Sequence, residues 1–207
     1  PNYAGTKAIE NYPLGELLPY IDWTPFFHAW ELRGAYPRIL QDENVGKEAQ
    51  KLFDDAQTLL KRIIDEKLLT AKAVFGLWPA NSKGDDIFLN VNGQERVIHT
   101  LSQQNQKPAG EPYYALSDFI APEDTGLQDY FGAFAVSTGF GCHELVAEFE
   151  KDFDDYNSIM TKALADRLAE AFAEKLHELV RTEYWGYSLD EKLSNEELIK
   201  EKYQGIR

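Results

Sequence analysis

Hydrophobic residues that recur every three or four positions predict two long amphipathic helices, at residues 44–68 and 154–184. At about 1.5 Å per residue, the second helix would be roughly 46 Å long and would have to lie across a whole sheet. Shorter helices are predicted at residues 25–33, after Gly141, and from a capping box at residues 194–197 to Gly205.

The spacing of apolar residues changes to two in the middle of the chain, which is typical of β-strands. Two such runs, at residues 87–91 and 97–101, flank Asn92-Gly93, and this dipeptide between two strands predicts a hairpin. Further strands are predicted at residues 74–78, ended by Pro79, and at residues 113–119 and 131–136. The grouping of the strands favours an α+β fold, with a twisted antiparallel sheet and long helices, over a βαβ series.

Composition and charge narrow the class of protein. The 207 residues are 43% hydrophobic and 27% charged, which predicts one soluble globular domain. A formal net charge of -14 disfavours nucleic-acid binding, and no run approaches the roughly 20 apolar residues of a membrane span. The single cysteine, Cys142, excludes an intrachain disulfide and a cysteine-rich zinc site and fits a reducing cytoplasm.

Gly139-Phe140-Gly141, between a predicted strand and a predicted helix, imitates the start of a nucleotide-binding loop. The third position of that fingerprint is Glu144, where glycine or alanine is needed for close packing of helix on strand. A plain strand-to-helix turn is therefore the simpler interpretation. A free-standing nucleotide enzyme that uses these glycines stays open as an alternative.

Two groups of side chains resemble parts of other sites without completing them. Glu170, Glu174 and His177 share one helix face, and Glu-x-x-His is half of a di-iron signature whose other half is absent. A solvated helix face is the favoured interpretation of this group. Cys142 and His143 are neighbours in a helix and do not face each other, so they do not form a nucleophile pair.

Asp22 precedes Thr24 and a predicted helix, where its carboxylate can accept hydrogen bonds from exposed amides. That structural role alone would account for it. The aromatic residues around it, Tyr20 and Trp23 among them, suit either a hydrophobic core or contact with a flat cationic ligand.

Seven blocks of sequence carry a family resemblance. They are YIDWTPFF at 20–27, YPRIL at 36–40, PAN at 79–81 with GDDI at 84–87, DFIAP at 118–122, GAFAV at 132–136, DDY at 154–156 through ALADRLAEA at 163–171, and YWGY at 184–187 leading to YQGIR at 203–207. With these blocks in this order, the chain resembles the activation domain of cobalamin-dependent methionine synthase, from about residue 18 to its end.

The resemblance implies an unusual α+β domain, distinct from Rossmann methyltransferases, that binds S-adenosylmethionine. Such a domain offers the methyl group to cobalamin, held by a neighbouring domain, when that cofactor has slipped to the inactive cob(II) state. Reduced flavodoxin or a flavoprotein reductase supplies an electron. The whole enzyme, 5-methyltetrahydrofolate-homocysteine methyltransferase, serves methionine biosynthesis, and the isolated chain is not expected to be active alone.

The resemblance also implies that Asp22, Glu170 and Arg207 bind S-adenosylmethionine. The two acids are expected to converge on one cleft and face the polar and cationic groups of the ligand, and Arg207 to grip its carboxylate. No residue need act as a catalytic acid, base or nucleophile, and no metal ligand is predicted. Residues 1–207 are expected to be one activation domain of a larger multidomain enzyme, truncated at the C-terminus, because the family's arginine loop continues past this position.

A hypothesis from a different class remains. The chain would then be a noncatalytic module that docks flavodoxin or a flavoprotein reductase together with the cobalamin domain. Only docking is expected to weaken steeply with salt.

Overall fold

The computed structural model describes residues 1–205, and its centre is a five-stranded sheet. The strands are β1 (Gly5–Tyr12), β2 (Thr70–Lys83), β3 (Asp86–Val91), β4 (Gln94–His99) and β5 (Asp129–Phe140). The long β2 is central, because it pairs with β5 along one edge and with β1 and then β3 along the other. All of these strand pairings are antiparallel, so the predicted fold class is confirmed.

Strand β2 continues through Pro79, so the prediction that this proline ends the strand is wrong. Pairing with β1 reaches Leu77, and pairing with β3 starts at Ala80. Pro79 lies where that edge of the strand changes partner, so the missing N–H interrupts neither ladder.

The predicted hairpin at Asn92-Gly93 is confirmed and joins β3 to β4. Both turn residues have positive φ, 53° for Asn92 and 80° for Gly93, as a two-residue hairpin turn with the twist of its strands requires. The Gly93 N–H donates to Oδ1 of Asn90 at 2.9 Å, which closes the turn.

The α-helices are α1 (Thr24–Ala29), α2 (Gly46–Asp65), α3 (Cys142–Lys151), α4 (Asp155–Leu179) and α5 (Asn195–Ile199). The two long predicted helices correspond to α2 and α4, and α4 runs on into a π-helical turn at Val180–Tyr184. Helix α4 packs against β5, α3 and the 3-10 segment Leu14–Tyr20. Its inner face supplies fully buried core residues, namely Met160, Leu164, Leu168, Phe172 and Leu176.

Three further sequence predictions differ from the structure. Residues 113–119 do not form a strand, because Asp118 accepts from the Ala115 N–H at 2.7 Å and closes a 3-10 turn at Leu116–Phe119. Helix α5 ends at Ile199 rather than near Gly205, and Glu201, with φ 52°, already lies outside the helical conformation. Helix α1 also ends earlier than predicted, at Ala29.

Candidate functional site

Asp22 lies between a 3-10 segment and α1, and its carboxylate is half-buried. Oδ1 accepts from the Thr24 N–H at 2.9 Å, which is the structural role that the sequence allowed. Within residues 1–205, Oδ2 has no hydrogen-bond partner. The side chain is thus held in place through one oxygen, and the other oxygen remains available to a cationic group.

The chain just before Asp22 is fixed to the end of α4 by a polar cluster around Tyr20. The Tyr20 hydroxyl donates to Oε2 of Glu178 at 2.7 Å and accepts from Nζ of Lys175 at 3.0 Å. Burial, with a smaller contribution from Glu178, raises the pKa of Tyr20, so the hydroxyl keeps its proton at neutral pH. These contacts hold the chain that leads to Asp22 against the C-terminal half of α4.

Glu170 lies on α4, and its side chain is exposed and forms no hydrogen bond or ion pair within residues 1–205. His177 comes seven positions after Glu170. The two residues therefore lie on nearly the same face of the helix, about 10 Å apart along its axis. The predicted shared face is therefore present. The interpretation of that whole face as solvated is wrong, because His177 is only 6% exposed.

A buried charged cluster explains the burial of His177. Arg181 has 0% exposure, and its Nε and Nη2 donate to the Glu191 carboxylate, with shortest distances of 2.9 Å and 2.5 Å. Nη1 of Arg181 lies 2.6 Å from Nδ1 of His177. A guanidinium can only donate, so Nδ1 accepts and the imidazole is the neutral tautomer with its proton on Nε2.

The same cluster keeps His177 uncharged. Burial and the adjacent Arg181 charge lower the pKa of His177 to about 4, although the Glu191 carboxylate acts in the opposite direction. At neutral pH the ring is therefore an acceptor for Arg181 and carries no charge of its own.

We expect this histidine to make stability depend on pH. Its unfolded-state pKa is near 6.5, so below that value the unfolded chain binds a proton that the folded chain excludes until about pH 4. His177 should therefore cost about 2 kcal/mol of folding free energy as the pH falls through this window. His177→Asn keeps an acceptor for Arg181 but does not titrate. We expect His177→Asn to have a lower free energy of unfolding than the natural chain at pH 7. Urea unfolding at several pH values should show that this difference becomes smaller from pH 7 to pH 4.5.

The exposed residue His143 provides the matched control for that experiment. For His143→Asn, the difference in free energy of unfolding from the natural chain should stay nearly constant across the same pH range. A deficit of His177→Asn that does not vary with pH would contradict the assignment of a neutral, buried imidazole.

The C-terminal segment, residues 185–205, connects the surroundings of Asp22 to those of His177. The Asn195 side-chain amide donates to the carbonyl oxygen of Ile21 at 3.2 Å. Further along, the Tyr203 ring packs edge-to-face on His177, with ring centroids 5.0 Å apart. This segment therefore bridges the loop that carries Asp22 and the face of α4 that carries Glu170. No hydrogen bond joins Asp22 directly to Glu170 in the described part of the chain.

A groove of about 670 Å³ lies beside this bridge. Its walls come from β2, β5, the 116–120 loop, His177 and Val180 at the end of α4, and Trp185, Tyr187 and Gly205 of the C-terminal segment. Neither Asp22 nor Glu170 lines it. Arg207 follows Gly205 by two residues and lies outside the described residues.

The glycine that follows β5, Gly141, serves packing. Gly141 begins α3 with φ 94°, and a Cβ built on it would lie 2.2 Å from the carbonyl oxygen of Leu68. Glu144 adds a carboxylate in the first turn of α3, where a phosphate would otherwise bind. The plain turn is thus the better interpretation of this motif.

Metal binding, thiol catalysis and a membrane-spanning helix have little support among residues 1–205. No group of three or more His, Cys, Asp or Glu residues there could hold a metal ion. Cys142 is half-buried, and burial raises the pKa of its thiol, which disfavours the reactive thiolate. No helix in this part of the chain is both long enough and apolar enough to span a bilayer.

Comparison with known proteins decides the family. The family model described as the activation domain of vitamin B12 dependent methionine synthase matches residues 13–207. The chain belongs to this family. A crystal structure of the MetH reactivation domain bound to AdoHcy superposes with a TM-score of 0.93 at 53% sequence identity. The match covers 99% of this chain and 64% of that one, so this activation domain spans less than two thirds of the length of that solved relative. The resemblance and the fold inferred from sequence are both confirmed.

Proposed function

We propose that this activation domain binds S-adenosylmethionine and presents its methyl group to cobalamin on a neighbouring domain of methionine synthase. The observation that carries the proposal is the match to a reactivation domain bound to AdoHcy, at 53% identity over nearly the whole chain. AdoHcy, S-adenosylhomocysteine, is what S-adenosylmethionine becomes when it loses its methyl group. The two ligands share the adenosine and amino-acid parts, so a site that binds AdoHcy suits S-adenosylmethionine as well.

The residues of this chain would bind and orient the methyl donor. We assign Asp22 and Glu170 to polar and cationic groups that the methyl donor shares with AdoHcy, and Arg207 to its carboxylate. The assignment is supported by the available Oδ2 of Asp22, by the unpaired side chain of Glu170 within residues 1–205, and by the segment that links their surroundings. The chain would act by positioning alone, with no side chain serving as an acid, base or nucleophile.

The rest of the reaction would come from partners. Cobalamin, when bound to its own domain, supplies the cobalt that accepts the methyl group together with one electron. We propose flavodoxin or a flavoprotein reductase as the electron donor and the cytoplasm as the compartment, which the single free thiol of Cys142 fits. The isolated domain would then bind its ligand without turnover.

Calorimetric titration with AdoHcy tests the assignment of the two acids. Asp22→Asn keeps the acceptor for the Thr24 N–H but removes the charge, and Glu170→Gln is equally conservative. Each should weaken AdoHcy binding by roughly 10-fold to 100-fold, because a charge-assisted hydrogen bond contributes about 1.5–3 kcal/mol. Thermal unfolding should change little.

Glu48→Gln is the matched control, since Glu48 is an exposed acid on α2, away from the bridge. It should bind AdoHcy like the natural chain. No binding by the natural chain at millimolar AdoHcy would overturn the proposed function and favour the docking hypothesis. Normal binding by both Asp22→Asn and Glu170→Gln would overturn the residue assignment alone.

A further inference from the structure

Apolar packing holds the segment that leads into Asp22 against the protein core. Leu17 is 0% exposed and Ile21 is 2% exposed, and both belong to the hydrophobic cluster that includes the inner face of α4. The Asn195 side-chain amide ties the Ile21 carbonyl oxygen to α5, at 3.2 Å. Hydrophobic contact has no preferred direction, so this packing fixes the distance of the segment from α4 more firmly than its position along the helix.

Tyr20 supplies a directional contact between this segment and α4. Its hydroxyl bonds two side chains that lie one helical turn apart, since it donates to Oε2 of Glu178 at 2.7 Å and accepts from Nζ of Lys175 at 3.0 Å. Lys175 and Glu178 also pair with each other at 2.9 Å, and their side chains are only 17% and 24% exposed. A hydroxyl bonded to two charged groups that hold each other has one favourable position along the helix.

Helix α4 is the fixed part of this arrangement. It runs without a break, and its inner face is buried in the core along its whole length. Glu170, the second acid assigned to the ligand, lies on the same helix, eight residues before Glu178 and about 12 Å from it along the axis. Tyr20 therefore joins the chain next to Asp22 to the helix that carries Glu170.

We propose that Tyr20 is a positioning residue, which through its hydrogen bonds to α4 places the Asp22 carboxylate for the methyl donor. The hydroxyl fixes where the chain before Asp22 lies along the helix that carries Glu170, and so sets the distance between the two acids. The inference rests on the proposed function and assigns to Tyr20 no contact with the ligand. Without the hydroxyl, Asp22 occupies its binding position for only part of the time, and the affinity falls in proportion to that fraction.

Tyr20→Phe tests the proposal, because it removes the hydroxyl and keeps the ring. Calorimetric titration with AdoHcy should show about tenfold weaker binding, the loss expected if the binding position is then populated about one tenth of the time. The loss should disappear in an Asp22→Asn background, where no carboxylate remains to be positioned, and persist in a Glu170→Gln background. A merely structural role would give the same loss in both backgrounds.

Tyr156→Phe is the matched control. The Tyr156 hydroxyl donates to Oδ2 of Asp55 at 2.9 Å, and so ties the other end of α4 to α2 by the same kind of bond. Each substitution removes a hydrogen bond from a tyrosine to a carboxylate, so both should lower the midpoint of urea unfolding by similar, small amounts. Only Tyr20→Phe should weaken AdoHcy binding.

The outcomes separate this inference from the proposed function. Failure of the natural chain to bind AdoHcy overturns both. Natural affinity in Tyr20→Phe, or an equal loss of affinity in Tyr156→Phe, overturns the positioning role while the proposed function stands. A loss that persists in the Asp22→Asn background, or that disappears in the Glu170→Gln background, also overturns it, because Tyr20 would then not act through Asp22.

Discussion

Replacing Gly141 by alanine should lower the free energy of unfolding by about 3 kcal/mol, because two costs add at this position. The backbone has φ 94°, a conformation that strains any residue with a side chain. The new Cβ would also lie 2.2 Å from the carbonyl oxygen of Leu68, a backbone atom that cannot rotate away. Urea unfolding of Gly141→Ala measures the sum.

The neighbouring Gly139 provides a control two residues away. The nearest atom to a Cβ built there is the Ser137 hydroxyl oxygen at 3.8 Å, and its φ is outside the left-handed region. Gly139→Ala should therefore change stability by less than about 1 kcal/mol. Equal losses for Gly139→Ala and Gly141→Ala would contradict the steric explanation. Loss of AdoHcy binding in a folded Gly139→Ala would revive the nucleotide-loop hypothesis.

The elements that sequence predicted well are those specified by local periodicity. Helices α2 and α4 bury one face along their whole length, so their apolar residues repeat at the helical spacing. The hairpin of β3 and β4 depends on Asn92-Gly93, whose positive φ values few other pairs adopt without strain. These features need no knowledge of distant contacts.

The elements that sequence missed depend on distant partners. Strand β1 was not predicted, because it is an edge strand that pairs only with β2 and exposes most of its side chains. The sequence predicts a strand end at Pro79, because it does not reveal that β2 changes partner there. Residues 113–119 carry a strand-like composition, but the Asp118 side chain competes for the backbone and forms a turn.

The candidate site shows the same division more sharply. Asp22 and Glu170 have no pattern that distinguishes them from a cap neighbour and a surface acid, so only the family resemblance identified them. Arg181 was missed because charged residues are expected at the surface. Its spacing of four from His177 was the one available signal, whereas its partner Glu191 comes after the helix and cannot be found from helical spacing.

Removing the Arg181 charge should cause the largest loss of stability that the charged residues of this domain can produce. Arg181→Met fills much of the same volume but leaves the buried Glu191 carboxylate without a counterion. Breaking one side of a buried pair typically costs about 3–5 kcal/mol. The free energy of unfolding, measured in urea at pH 7, should fall by that amount.

The double variant Arg181→Met/Glu191→Leu tests whether the loss comes from the stranded charge. Exchanging a whole buried pair for apolar residues is often nearly neutral, so the double variant should be more stable than Arg181→Met by about 1–3 kcal/mol. The single variants Arg181→Met and Glu191→Leu complete the comparison. If their losses of stability simply add in the double variant, the two charges do not stabilise each other, and the guanidinium acts mainly by packing. His177 and Tyr203 both contact this guanidinium, so any part of the loss that the double variant does not recover measures those two contacts.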